Sequence, residues 1–147
     1  MEIKDILNKE LMILDLQSIT KEEVIQELIK PLLKEGIVTD EVSFLKTVME
    51  REEQSTTGIG MGIAIPHGKS SVVKAPAIVF GKSKNGVEFQ SLDEEPSYIF
   101  FLIAVPENSN DQHLKVLSQL SRKLMNEDIR ENLLKATTKE DVFNAFD

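Results

Sequence analysis

Residues 98–105, YIFFLIAV, form the longest apolar run in the chain, and this run decides the fold. A strand with one solvated face alternates apolar and polar residues, whereas this run is apolar at every position. It therefore predicts a central strand that helices cover on both faces. The run is too short to cross a bilayer, so no membrane insertion is expected.

Shorter apolar runs predict the rest of the sheet. Pro66 follows residues 63–65 and should stop that strand, because proline has no amide proton for a strand ladder. Two others should form a hairpin through residues 82–86, since Asn85-Gly86 is a strong hairpin signal. The predicted flanking strands are residues 11–16, 63–65, 77–80 and 87–89.

Helices are predicted between and after these strands. Thr20 and Glu23 form a capping-box pattern that begins a helix ending at Gly36, and Pro31 is expected to kink this helix or to end it near Lys30. Asp40 begins a second helix, which ends near residues 51–53. Apolar spacing predicts three further helices, marked by Leu114, Val116, Leu117, Leu120 and Leu124, by Ile129, Leu133 and Leu134, and by Val142, Phe143 and Phe146.

Strands embedded among helices predict an α/β fold: a single three-layer domain, residues 1–147, with a mixed central sheet flanked by helices. The net charge of −8 and the absence of a basic cluster argue against binding to nucleic acid. With no cysteine, disulfides, thiolate nucleophiles and zinc ribbons are excluded. The first residues lack the basic start and apolar core of a signal peptide, so a cytoplasmic location is expected.

The chain has two histidines and one arginine placed to support phosphate chemistry. His67 follows Pro66 at the end of a predicted strand, and neutral imidazole is a nucleophile near neutral pH. His113 is predicted in the first turn of a helix, where the amides favour negative charge. Arg51 is predicted at a helix end, and a guanidinium can hold two phosphoryl oxygens. Nucleophile, second donor and charge clamp are the minimal set for phosphoryl transfer.

A glycine-rich segment lies between Arg51 and His67. Its G-x-G-x-G spacing departs from the dinucleotide fingerprint, and residues 68–70, GKS, lack the first glycine of a P-loop because position 63 is isoleucine. Such a segment can bring backbone N–H groups close to an anion, or it can simply form a turn. The residues predicted to bind a phosphoryl group are Ser55, Thr56, Thr57 and Gly58.

Three segments carry a family resemblance: residues 51–69 (REEQSTTGIGMGIAIPHGK), 80–93 (FGKSKNGVEFQSLD) and 113–125 (HLKVLSQLSRKLM). In this order they resemble the fructose/mannitol-type enzyme IIA domains of the bacterial sugar phosphotransferase system, and they are most similar to the fructose branch. The resemblance covers nearly the whole chain. It implies the fold of that family.

The resemblance also implies a phosphocarrier. His67 would accept a phosphoryl group from the phosphohistidine of HPr through Nε2, flanked by His113 and Arg51. The group would then pass to a cysteine of an enzyme IIB partner, through which the chain associates with a membrane permease. Such a carrier needs no cofactor, metal or nucleotide.

Two alternatives stay open. A regulatory, nitrogen-type module would carry the same phosphorylatable histidine. A metal site formed by His67 and His113 with Asp or Glu is the second, although the histidine spacing matches no common metal motif. The transported sugar is not encoded in these motifs.

Overall fold

The computed structural model describes residues 3–109 and 111–147, with side chains at 3–109 and 115–147. The helices are α1 (Ile3–Ile6), α2 (Lys21–Lys34), α3 (Glu41–Gln54), α4 (Asp111–Leu124), α5 (Glu127–Lys135) and α6 (Lys139–Asn144). The strands are β1 (Met12–Ile13), β2 (Gly58–Gly60), β3 (Ile63–Ala64), β4 (His67–Ser70), β5 (Ala77–Val87) and β6 (Ser97–Pro106). No helix in the described ranges is both long and apolar enough to cross a membrane.

The strands of the described residues form one mixed sheet. Its order is β1-β5-β6-β3-β2, and β4 also pairs with β6. Strands β1 and β5 are parallel, and β6 is parallel to both β3 and β4, whereas the β5–β6 and β2–β3 pairs are antiparallel. The predicted α/β fold with a mixed central sheet is confirmed.

Strand β6 is buried on both faces, as its sequence predicted. Alternate side chains enter two separate apolar clusters, because successive residues of a strand point to opposite faces. One face carries Ile99, Phe101, Ile103 and Val105 and packs on α1, α4, α5 and α6. The other carries Phe100, Leu102 and Ala104 and packs on α2 and α3. The three layers are therefore helices, sheet and helices.

The strand that ends before Pro66 resumes after it. Ile63 lies opposite Ile99 in β3, and His67 lies opposite Ile103 in β4, so the register with β6 is the same on both sides of the proline. Although Pro66 has no N–H, its carbonyl accepts a hydrogen bond from Ile103 at 3.0 Å. His67 thus begins a strand, and the prediction that it ends one was wrong.

The predicted hairpin at Asn85-Gly86 is also wrong. Strand β5 runs through this dipeptide and pairs with β6 on both sides of it, with Lys82 opposite Ile99 and Val87 opposite Ser97. The extra residues form a bulge, in which Gly86 adopts a φ of 82° and donates its N–H to Ser83 Oγ. Gly86 does adopt the positive φ that a turn signal indicates, but because β5 pairs with β6 on both sides of it, the result is a bulge within one strand.

Helix α2 does not end at Lys30. It continues through Pro31 to Lys34, and its N-cap is Thr20, as predicted. The proline costs one helical hydrogen bond, but Leu28, Ile29 and Leu32 on either side of it are completely buried. Burial of this apolar stripe outweighs the cost of the proline.

The remaining helix predictions agree with the structure. Asp40 caps α3 by accepting a hydrogen bond from Ser43 N at 3.1 Å, and α4, α5 and α6 follow the central strand. The first strand is shorter than predicted: a 3₁₀ turn occupies Lys9–Leu11, β1 covers Met12–Ile13, and residues 14–16 lie beyond its end.

Candidate functional site

His67 is half-buried, and one ring nitrogen has a backbone partner. Its Nδ1 lies 3.1 Å from the carbonyl oxygen of Ile65. A carbonyl oxygen can only accept a hydrogen bond, so Nδ1 carries the proton and donates it. In the neutral ring, Nε2 then keeps its lone pair. Nε2 is therefore the nitrogen available to attack an electrophile.

The sheet register places His67 on the face that packs on α4. His67 lies opposite Ile103, which belongs to the cluster that includes Val116 and Leu120 of α4. Gly68, the next residue, faces α3, since a Cβ there would meet Phe44. Alternation along β4 thus turns the imidazole away from α3 and towards the α4 layer.

Position 113 lies in the first turn of α4, which begins at Asp111, as the sequence predicted. The side chain of His113 lies outside the described residues. Its proposed contact with a phosphoryl group on His67 stays a prediction.

Arg51 lies in the last turn of α3 and is half-buried. It follows Val48 by three residues, so both are on the face of α3 that packs on β4. Its Nη1 donates to the carbonyl oxygen of Ser55 at 2.9 Å and lies 3.4 Å from Ser55 Oγ. Arg51 is thus tied to the loop that follows its own helix.

The predicted phosphoryl-binding loop makes hydrogen bonds within the protein. Thr56 Oγ1 donates to the carbonyl of Phe89 at 2.9 Å and accepts from Gly58 N at 3.1 Å. The hydroxyl of Thr57 donates to Glu52. Gly58 is needed for close packing, since a Cβ there would lie 2.5 Å from Ser91 Oγ. These bonds hold the loop in place, and phosphoryl binding by Ser55, Thr56, Thr57 and Gly58 stays a prediction.

Glu52 is a supporting residue that the sequence analysis missed. It is 6% exposed, and its Oε1 pairs with Lys21 Nζ at 2.8 Å and accepts from Thr57 N at 3.1 Å. The signal was its spacing: Phe44, Val48 and Glu52 recur every four residues, which is the spacing of one helix face. The buried stripe of α3 therefore ends in a carboxylate.

Asp93 is a second missed residue, and it fixes the turn between β2 and β3. Its Oδ2 accepts from Met61 N at 2.9 Å, and its Oδ1 accepts from Glu95 N at 3.1 Å. These donors, Met61 first, lower the pKa of Asp93 below its ordinary value. The backbone N–H of Met61, in the glycine-rich segment, is thus already hydrogen-bonded to a carboxylate of the protein.

The side chains that the structure describes include no group of three His, Cys, Asp or Glu residues able to hold a metal ion. A metal site formed by His67 and His113 is not tested by this, because the side chain of His113 lies outside the described residues.

Fold and sequence together define the class of protein. Residues 5–147 match the family model described as phosphoenolpyruvate-dependent sugar phosphotransferase system, EIIA 2. The chain belongs to this family, and the resemblance of its three motif segments is confirmed.

The chain is similar to curated proteins described as fructose-specific. The chain is 44% identical over 150 residues to the PTS system fructose-specific EIIABC component of Bacillus subtilis (strain 168), covering 100% of the chain and 24% of that protein. It is 40% identical over 141 residues to the PTS system fructose-specific EIIA component of Haloferax volcanii, covering 96% of the chain and 92% of that protein. The chain therefore has fructose-specific relatives. It spans about a quarter of the length of the Bacillus subtilis protein.

Solved structures with this fold include a nitrogen regulatory protein and an enzyme IIA in complex with an enzyme IIB. Nitrogen regulatory protein IIA-Ntr from Neisseria meningitidis superposes with a TM-score of 0.90 at 31% identity, covering 99% of each chain. The complex of enzyme IIAMTL and phosphorylated enzyme IIBMTL from Escherichia coli gives a TM-score of 0.81 at 27% identity, covering 95% of this chain and 96% of that one. The architecture is the one shared by PTS IIA domains.

Proposed function

We propose that the chain is a phosphocarrier of the sugar phosphotransferase system and that His67 is its phosphorylated residue. The observation that carries the proposal is the hydrogen bond from His67 Nδ1 to Ile65, which leaves the lone pair on Nε2. Membership of the EIIA family supplies the chemical class, phosphotransferase. Fructose-type uptake is the proposed pathway, because both of the curated relatives described above are fructose-specific.

The proposed reaction has two steps. First, Nε2 attacks the phosphorus of a phosphohistidine on HPr; the N–P bond of the donor breaks, and the donor imidazole keeps the electron pair. Second, the sulfur of a cysteine on enzyme IIB attacks the same phosphorus, the Nε2–P bond breaks, and the cysteine proton is lost to solvent. A solved relative in complex with phosphorylated enzyme IIB supports that partner.

Each proposed residue has one physical task. When Nε2 binds phosphorus, the ring gains positive charge, and the Nδ1–H bond to Ile65 stabilises that charge. Because Nδ1 stays protonated, the ring can later leave as neutral imidazole, with the electron pair of the Nε2–P bond on Nε2. Arg51 would exchange its bond to Ser55 for the phosphoryl oxygens and neutralise them, and His113 would donate to them from the first turn of α4. Both tasks are electrostatic, as phosphoryl transfer requires.

Intact mass spectrometry tests the proposal. Wild type, His67→Gln and His113→Gln are each incubated with enzyme I, HPr and phosphoenolpyruvate, and the masses are compared before and after acid treatment. We expect one acid-labile phosphoryl group on the wild type and on His113→Gln, with slower uptake in the latter, and none on His67→Gln. Uptake by His67→Gln at the wild-type rate would refute the assignment.

A regulatory role is the second candidate, and the high structural similarity to a nitrogen regulatory protein favours it. Both roles use the same first step, so uptake from HPr does not separate them. The second step does: a carrier passes the group to the cysteine of a fructose-type enzyme IIB, whereas a regulatory module retains it when that domain is added. Loss of the phosphoryl mass on addition of enzyme IIB would favour transport.

A further inference from the structure

A buried ion pair lies beneath the loop that follows α3. Glu52 of α3 pairs with Lys21 of α2 at 2.8 Å, and the exposed fractions of their side chains are 2% and 14%. The Glu52 carboxylate also accepts from the N–H and the hydroxyl of Thr57. A buried carboxylate is stable only when such donors surround it, so this pair and Thr57 hold one another in fixed positions.

A line of hydrogen bonds continues from Thr57 to the imidazole. The carbonyl of Thr57 accepts from Ile65 N at 3.0 Å. The carbonyl of Ile65 in turn accepts from His67 Nδ1 at 3.1 Å. Within the described residues, the only acceptor that the structure gives to Nδ1 is thus linked to Glu52 through the backbone groups of Ile65 and Thr57.

The same carboxylate fixes the loop that Arg51 contacts. Thr57 lies two residues after Ser55, whose carbonyl accepts from Arg51 Nη1. Movement of Thr57 would therefore disturb both the histidine acceptor and the arginine acceptor. Neither effect requires Glu52 to touch a phosphoryl group.

We propose that Glu52, paired with Lys21, is a positioning residue that keeps the proton of His67 on Nδ1 and the lone pair on Nε2. The proposal deepens the proposed function, because it concerns the nitrogen that would accept the phosphoryl group. Free neutral histidine prefers the opposite tautomer, with the proton on Nε2. Without the fixed carbonyl of Ile65, the proton therefore moves to the nitrogen that has to attack.

The test uses a tautomer measurement and a rate measurement on the same variants. Glu52→Gln removes the charge and keeps the shape, Thr57→Val removes only the hydroxyl donor, and Glu53→Gln is the matched control at the exposed neighbouring position. Nitrogen-15 chemical shifts of the His67 ring, recorded on the deprotonated ring, report the tautomer without any partner protein. Single-turnover phosphoryl uptake from phospho-HPr gives the rate constant at saturating donor.

We expect the wild type and Glu53→Gln to show the Nδ1–H tautomer. In Glu52→Gln the population shifts towards Nε2–H, and the saturating rate constant falls by about tenfold or more with the half-saturating donor concentration unchanged, because geometry and not binding is lost. In Thr57→Val the tautomer population also shifts towards Nε2–H and the rate constant also falls, each by less than in Glu52→Gln. If Glu52→Gln does not fold, as judged by circular dichroism, Thr57→Val decides by the same criteria.

An unchanged tautomer in a folded Glu52→Gln overturns the proposal, whatever the rate does. If the wild type takes up no phosphoryl group, the proposed function fails, and the ring shifts still decide whether Glu52 positions His67. The two failures are therefore distinguishable.

Discussion

Replacing Gly68 with alanine tests how tightly α3 packs on the strand that carries His67. A Cβ at position 68 would lie 3.0 Å from Phe44 Cε1 and 3.0 Å from Val48 Cγ2. Both neighbours are completely buried, whereas carbon atoms pack best at about 3.5–4.0 Å. To restore that spacing, α3 or the two side chains have to move by about half an ångström or more.

Overpacking of this kind costs about 1–3 kcal/mol of the free energy of unfolding. For a chain of this length, each kcal/mol lowers the melting temperature by about 2–4 °C, so Gly68→Ala should melt about 2–12 °C below wild type. Urea unfolding and thermal unfolding followed by circular dichroism give the two values. Lys69→Ala, at the exposed next position of the same strand, is the control and should stay within about 0.5 kcal/mol of wild type.

A double-mutant cycle identifies the cause. Val48→Ala removes the methyl group that the new Cβ approaches and destabilises the protein by leaving space. Combined with Gly68→Ala, the two changes should partly compensate, with a coupling free energy of about 0.5–3 kcal/mol. Strictly additive costs, or no loss in Gly68→Ala alone, would refute the packing argument.

Three further predictions concern stability. Pro31→Ala restores an amide that can donate to the carbonyl of Glu27 within α2, so it should raise the free energy of unfolding, by up to about 3 kcal/mol, in a urea titration. Thr138→Ala removes the N-cap of α6 and should cost about 0.5–2 kcal/mol; an unchanged urea midpoint would show that the cap is dispensable. The lowered pKa of Asp93, due first to the Met61 amide, means that its contribution to stability is complete above the ordinary aspartate pKa of about 3.9 and is lost as the pH falls through the lower folded value. The stability difference between wild type and Asp93→Asn should therefore shrink as the pH falls below the ordinary aspartate pKa of about 3.9, and a constant difference would contradict the assignment.

Local sequence signals predicted much of the scaffold. The uniformly apolar run in β6 predicted its double burial, and the side chains of Thr20 and Asp40 marked the starts of α2 and α3. These signals succeed because a cap or an apolar stripe acts within a few residues of itself. The hairpin prediction at Asn85-Gly86 failed because its outcome depended on a partner strand ten or more residues away.

In the candidate site, too, one residue was identified from the sequence and another was missed. His67 was identified from the sequence because the chain has only two histidines and one of them follows a predicted strand. The ion pair of Glu52 with Lys21 was missed, because the two residues are far apart in sequence and lie on different helices. A charged residue at a helix end is normally exposed, so its four-residue spacing from Val48 was a weak signal, and the tertiary structure showed that this carboxylate is buried.

By itself the sequence determined the family, the central strand, the helix starts and the histidine proposed as nucleophile, because each depends on residue types and short spacings. The tertiary structure decided that β4 resumes after Pro66, that β5 passes through its turn signal, and that the proton of His67 lies on Nδ1. Those features depend on backbone partners brought together from distant segments, and the free energy of such contacts exists only in the folded chain.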